Sequence, residues 1–276
     1  MIRLLLLFPL CLFSFVCGDA FRAYSDHQYD EDKPSIPPLT TPGQTIFLKG
    51  AHLSTFFANI HPHLAYPYIL ISHISDDSVP ASHASHLDDP KLIAWFGINC
   101  DGTLHPKFHP IPIGVANAHL PHGNKSLLSA IQQNPPPKQY LAYLNFTIQS
   151  FSSERWPLFK LLSHTPFCHR TLRINYESYL RITAAAHFMI SPRGLGLDTY
   201  RLWESLYLGT IPIVKSSSLD PLYAGLPILI ISDWAQVTEP FLREQLLSFA
   251  NRSFSFEKLS MEYWIQLINS YKGAVF

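Results

Sequence analysis

From residue 45 onward the chain repeats one alternation, a compact apolar run followed by a helix-length stretch with apolar residues at helical spacing. Tyr68-Ile69-Leu70-Ile71-Ser72-His73 is the clearest such run. It is apolar with a polar end, as a strand covered on both faces of a parallel sheet must be. Strands over 46–48, 92–96 and 111–115 and a helix over 53–60 belong to the same half. Pro135-Pro136-Pro137 then interrupts the chain, because consecutive prolines cannot continue a helix and hold an extended spacer. Beyond them the rhythm resumes, with strands over 140–145, 187–190, 211–214 and 227–231. Helices are expected over 154–162, 176–186, 199–208, 237–249 and 256–271. Strands alternating with helices predict an α/β fold with mostly parallel sheets. Two such halves predict two Rossmann-like lobes with a cleft between them, an N-terminal lobe over 45–134 and a C-terminal lobe over 138–276. Ligands of such sheets sit at the carboxyl ends of the strands.

Charge narrows the partners. Lys plus Arg and Asp plus Glu both number 20, so the chain lacks the basic footprint of a nucleic-acid binder. With 47% hydrophobic residues it is no disordered chain either. At the start, Arg3 precedes an apolar run from Leu4 to Cys17 that ends at Gly18-Asp19-Ala20. The run is shorter than the roughly 20 residues that span a bilayer, and residues 1–18 therefore read as a secretory signal peptide. The alternative is a short anchor through which the protein associates with a membrane. The matching location is the lumen of the secretory pathway or export, or else attachment by the N-terminus. Residues 19–44, with Asp30-Glu31-Asp32 and four prolines, read as an extended lead-in with little core to bury. Cys100 and Cys168 lie beyond the leader, and the sequence leaves their pairing open. Sequons begin at Asn124, Asn145 and Asn251.

The densest chemistry lies in Ile190-Ser191-Pro192-Arg193-Gly194-Leu195-Gly196-Leu197-Asp198, followed by Arg201, Trp203 and Glu204 and then Gly209-Thr210-Ile211-Pro212-Ile213-Val214-Lys215. A strand runs into a glycine-containing turn, then into a helix that Asp198 is expected to cap, then into a second strand. Gly194 and Gly196 let backbone approach a ligand, and unpaired N–H groups at the helix start favour an anion. Arg201 and Glu204, three apart, share a helix face on which they reach one ligand or simply pair with each other. Lys215 and Ser216 form a second turn compatible with phosphate.

This stretch resembles the donor-binding region of exostosin-like glycosyltransferases, with their Ser-Pro-Arg-Gly turn, Trp-Glu helix and Gly-x-Ile-Pro-Ile strand. The segments at Ile71 to Asp76, His105 to Lys107, Pro110 to Asn117 and His122 to Asn124 are similar to the same family's first lobe. The resemblance covers roughly residues 45–250 and is strongest over 188–231. It implies a GT-B arrangement and transfer of a sugar from a nucleotide sugar to a hydroxyl of a glycan or glycoprotein acceptor. By the same carry-over Arg193, Arg201 and Lys215 face the diphosphate, while Glu204 holds ribose or sugar hydroxyls. The nucleotide sugar is a co-substrate, and neither a cofactor nor a metal is expected.

Departure of a nucleoside diphosphate builds negative charge that fixed cations and helix N-termini stabilise. A base for the acceptor hydroxyl is also needed. His73, Asp76 and Asp77, just past a first-lobe strand, are the candidates by position, with His105 and His122 behind them. The 14 histidines show no HExxH spacing or partnered carboxylate, so no metal residues are assigned. The competing class is a non-catalytic carbohydrate-binding protein on the same fold.

Overall fold

The structure, a computed structural model, describes residues 14–273. The first half contains α1 (Gly18–Tyr24), β1 (His27–Tyr29), β2 (Gln44–Lys49), α2 (Leu53–Asn59), β3 (Tyr68–His73), β4 (Leu92–Gly97), β5 (Phe108–Pro110) and α3 (Lys125–Gln133). Its strands form a 5-stranded sheet in chain order, with every neighbouring pair parallel. The second half opens with β6 (Tyr140–Leu144), α4 (Ser152–Leu162), β7 (Cys168–Arg170), α5 (Tyr176–Ala185) and β8 (Ala186–Ile190). It continues with α6 (Tyr200–Tyr207), β9 (Ile211–Lys215), α7 (Asp220–Tyr223), β10 (Leu229–Ile231), α8 (Glu239–Ala250) and α9 (Met261–Lys272). Its strands pair in the order β10-β9-β8-β6-β7, again all parallel.

The sequence pattern accounts for this arrangement. All residues of β3 are buried, because helices and loops cover both faces of the sheet. Asparagines set two helix starts: Asn124 accepts from the Leu127 N–H to cap α3, and Asn175 accepts from the Ser178 N–H to cap α5. In the second sheet the chain steps from β6 to β7 on one side, then returns to place β8 on the other. The strand order thus reverses between β6 and β8, and doubly wound sheets bind ligands at the carboxyl ends of the strands at such a point.

Four expectations change. Residues 19–44 are no loose lead-in: β1 adds an edge strand to β2, and Phe21, Tyr29 and Leu39 are buried. A three-residue edge strand carries too little alternation to be read from sequence. Part of the leader is also built into the fold, with Val16 and Cys17 buried; residues 1–13 lie outside the described residues. The expected strand over 111–115 is absent; β5 precedes it, and Pro110 and Pro112 cannot donate to a ladder. Finally, α9, expected among the second-half helices, packs on the first sheet, with Tyr271 against Phe96. Trp264 and Ile268 join the core that holds Phe47, Ile71 and Trp95, so the chain returns to cover the first sheet. Among the described residues no helix is long and apolar enough to cross a membrane. Cys100 and Cys168 are both buried and free.

Candidate active site

A cavity of about 840 Å³ lies at the switch point between β6 and β8. Ile74, Asp76 and His122 from the first half and Asn145, Arg201 and Glu204 from the second are among its lining residues. Two short bridges bring the halves together beside it. Asp76 Oδ1 accepts from the Gly196 N–H (3.2 Å), and Asn99 Oδ1 accepts from the Asp198 N–H (2.8 Å). A side chain at Gly196 would place its Cβ 2.8 Å from Asn99 Nδ2, so the turn needs a glycine to approach so closely.

One wall is cationic, and its strongest member was not singled out from sequence. Arg155, in the first turns of α4, is only 4% exposed. Its Nε donates to the Arg193 carbonyl (2.7 Å), one terminal nitrogen to the Thr147 carbonyl (2.7 Å) and the other to the Pro192 carbonyl (3.2 Å). Burial, reinforced by the nearby Arg201 charge, lowers Arg155 to about 10, still charged at neutral pH. Arg201 donates from Nε to the Asn145 carbonyl (2.9 Å). Among the described residues neither guanidinium has a carboxylate within ion-pair distance. Each guanidinium is held by backbone carbonyls rather than by a carboxylate, an arrangement that suits an anion. An Arg just inside the helix that follows a strand end was the available signal for Arg155. Without a glycine motif around it, the residue looked like an ordinary helix charge.

The opposite chemistry stands beside this wall. Glu204 is 3% exposed, and Tyr176 and Tyr179 donate their hydroxyls to its two carboxyl oxygens, each at 2.9 Å. Burial raises its pKa, opposed by the two tyrosine hydrogen bonds and the Arg201 charge. The tyrosines sit three apart on α5 and were not foreseen, since only the fold brings α5 against α6. Arg201 and Glu204 thus share the cavity without forming an ion pair. Asn145 also lines it and donates from Nδ2 to Thr171 Oγ1 (2.8 Å), which leaves its sequon amide engaged.

Other expected residues occupy different places. Arg193 folds over the Phe151 ring (4.4 Å to its centroid) and donates to the Leu195 carbonyl, outside the cavity lining. Gly194 and Gly196 remain in the lining. Asp198 does not cap α6, whose N-cap is Thr199. It stays in the cavity lining as a buried clamp, accepting from the Ile113 N–H (2.8 Å), the Thr199 N–H (2.9 Å) and the Trp203 indole (2.8 Å); burial pushes it up to about 6. Lys215 lines a second cavity of about 520 Å³ with Phe151 and Trp234, and Ser216 donates to Asp220 (2.6 Å). Neither reaches the switch-point cavity, because β9 ends one strand farther from β6 than β8 does.

Among the candidate bases, only Asp76 and His122 line the cavity. Asp77 is exposed and accepts from Ser75 Oγ (3.0 Å). His73 is 2% exposed and packs against Phe21 and Phe47. Its Nε2 donates to the Pro112 carbonyl (3.2 Å) and its Nδ1 accepts from the Ile74 N–H (2.9 Å), so no ring nitrogen is left for a substrate. Its role is structural, which corrects its candidacy as a base.

His73 carries a pH prediction instead. Burial lowers it to about 4, below the ordinary histidine value, so the unfolded chain binds the proton first as pH falls. Its neutral form therefore supports the fold above pH 6.5, and that support is lost toward pH 4, by about 3 kcal/mol in all. A His73→Asn chain lacks this group, so its stability deficit should shrink by about that amount between pH 7 and pH 4. Urea titrations at the two pH values measure it; an unchanged deficit would mean the imidazole titrates normally.

No family model matches the chain, and no curated protein matches it. Eighteen chains of solved structures do. One is described as the crystal structure of the GtfA/B complex, with 11% identity and a TM-score of 0.41 over 85% of this chain and 58% of that chain. The protein thus spans less than two thirds of that neighbour.

Proposed function

We propose that the protein is a glycosyltransferase of exostosin-like type, which moves a sugar from a nucleoside-diphosphate sugar to a hydroxyl of a glycan or glycoconjugate. The observation that carries this reading is the unpaired guanidinium pair of Arg155 and Arg201 beside the Tyr-held Glu204 in one cavity at the switch point. A diphosphate supplies the anion that the two guanidinium groups lack. Glu204 accepts hydroxyl hydrogen bonds from ribose or sugar. As the bond to the sugar breaks, the charge arriving on the diphosphate meets fixed cations that need no reorganisation. The sequence resemblance around Gly194, Glu204 and Ile211 points the same way. A pure carbohydrate binder has no use for a buried Arg155 and a half-buried Arg201 that lack a carboxylate within ion-pair distance. The two guanidinium groups fill the role that a divalent ion fills in other transferases, and the activity is read as metal-independent. The donor would be drawn from a lumen supplied with nucleotide sugar.

The test is thermal unfolding with UDP or GDP, with and without EDTA. One of the two nucleotides should raise the melting temperature, and chelator should leave the rise unchanged. A ligand at about 100 times its Kd adds about 2.7 kcal/mol. A rise that disappears with EDTA contradicts the metal-free reading, and no rise with either nucleotide contradicts the donor assignment.

A further inference from the structure

We propose that His122 is the base that takes the proton from the attacking acceptor hydroxyl; the assignment rests on the glycosyl-transfer reading above. Of the 14 histidines, it is the one in the cavity lining. Neither ring nitrogen has a hydrogen-bond partner among the described residues, in contrast to His73, whose two nitrogens are both engaged. The His122 ring lies 5.5 Å from the Tyr200 ring and 6.4 Å from the Tyr176 ring, centroid to centroid. Tyr176 is one of the two hydroxyls that hold Glu204, so the imidazole stands beside the sugar-facing side of the cavity.

The loop that carries His122 is held in place. The Gly123 N–H donates to the Leu120 carbonyl (2.9 Å), and the Leu120 N–H donates to the Asn117 carbonyl (3.0 Å). Asn117 in turn accepts from the Asp19 N–H at the start of α1 (2.9 Å). A Cβ at position 123 would lie 2.0 Å from the Asn117 carbonyl oxygen, so only glycine permits this turn. A base fixed in this way stays at one distance from the reacting atoms.

Protonation suits the task. Burial lowers the His122 pKa, so the imidazole is neutral and able to accept at pH 7. Its ring neighbours are Tyr176 of α5 and Tyr200 of α6, and Asp76, Arg155, Asp198, Arg201 and Glu204 are the acidic and basic groups sharing its cavity. Asp19 and Lys125, an ion pair at 3.2 Å, flank the loop. Asp76, the other lining candidate, is an exposed carboxylate already bonded to the Gly196 N–H. In the step, the hydroxyl oxygen bonds to the anomeric carbon as the carbon–oxygen bond to the diphosphate breaks. The electron pair leaves with the nucleoside diphosphate. The hydroxyl proton moves to a His122 ring nitrogen and then to solvent.

The test uses the full chain, its His122→Asn variant and its His122→Ala variant. Nucleotide release is measured from a panel of UDP- and GDP-sugars with mixed oligosaccharide acceptors, beside UDP and GDP affinities and melting temperatures. Loss of a general base should lower kcat by at least about 100-fold in both variants. Nucleotide affinity and melting temperature should hold, and the acid limb of the pH–kcat profile should disappear. A His122→Asn chain that keeps about a tenth of kcat or more, or keeps the acid limb, overturns the assignment while leaving the transferase reading intact. A full chain that neither binds UDP or GDP nor releases either overturns the transferase reading itself.

Discussion

A chain beginning at Asp19 should lose on the order of 5 kcal/mol of stability relative to one beginning at Ser14. The residues between them are structural. Val16 is 0% exposed and Cys17 is 2% exposed, and the Phe15 ring packs edge-on against Tyr207 at 4.8 Å. The Val16 N–H donates to the Tyr207 hydroxyl (3.0 Å), and the Val16 carbonyl accepts from the Val115 N–H (2.8 Å). The Ser14 carbonyl accepts from the Met261 N–H (3.2 Å), which ties this segment to α9. Gly114 is shaped around it: its φ is +68°, and a Cβ there would lie 1.9 Å from the Val16 carbonyl oxygen. Burying a Val or Phe side chain contributes about 1.5–3 kcal/mol, and a typical hydrogen bond about 1 kcal/mol. The sum is a large part of the whole stability of a domain. Urea unfolding of the two chains measures it, and equal midpoints would show that the segment contributes nothing. Cleavage of the leader at the small residues around Gly18 would produce the shortened chain. A retained N-terminus keeps the fold whole.

The sequence shows the repeating skeleton well, because both sheets rest on long buried runs whose periodicity nothing obscures. Tyr68 to His73 and Phe188 to Ile190 are read correctly as strands for that reason. What escapes is decided by contacts between distant segments. β1 and β7 span three residues each, too few for a pattern. α9 is an amphipathic helix whose partner, the first sheet, lies far back in the chain. The candidate site divides along the same line. The Ser-Pro-Arg-Gly turn and the Arg201–Glu204 face are local features and reach the cavity through Gly194, Arg201 and Glu204. Arg193 misses it because its own side chain folds over Phe151, and Lys215 misses it because strand order places β9 farther out. Arg155, Tyr176 and Tyr179 enter it only through the packing of α4 and α5, which no spacing in the sequence records.

If the Arg155–Arg201 wall holds a diphosphate, substitution at Arg201 should weaken nucleotide binding without disturbing the fold. Arg155 bonds to three carbonyls of the surrounding loops, so its loss would disturb folding as well as binding. Arg201 gives up only one backbone hydrogen bond, to Asn145. A charge-assisted hydrogen bond contributes about 1.5–3 kcal/mol, so Arg201→Ala should weaken binding by roughly 10- to 100-fold. Lys215 is the contrasting position, a cation of the same stretch that lies in the second cavity. The measurement is calorimetric titration of UDP and GDP into the full chain, Arg201→Ala and Lys215→Ala. One nucleotide should bind the full chain and Lys215→Ala alike and bind Arg201→Ala at least about tenfold more weakly. Equal affinity in the full chain and Arg201→Ala, or a loss confined to Lys215→Ala, would contradict the site.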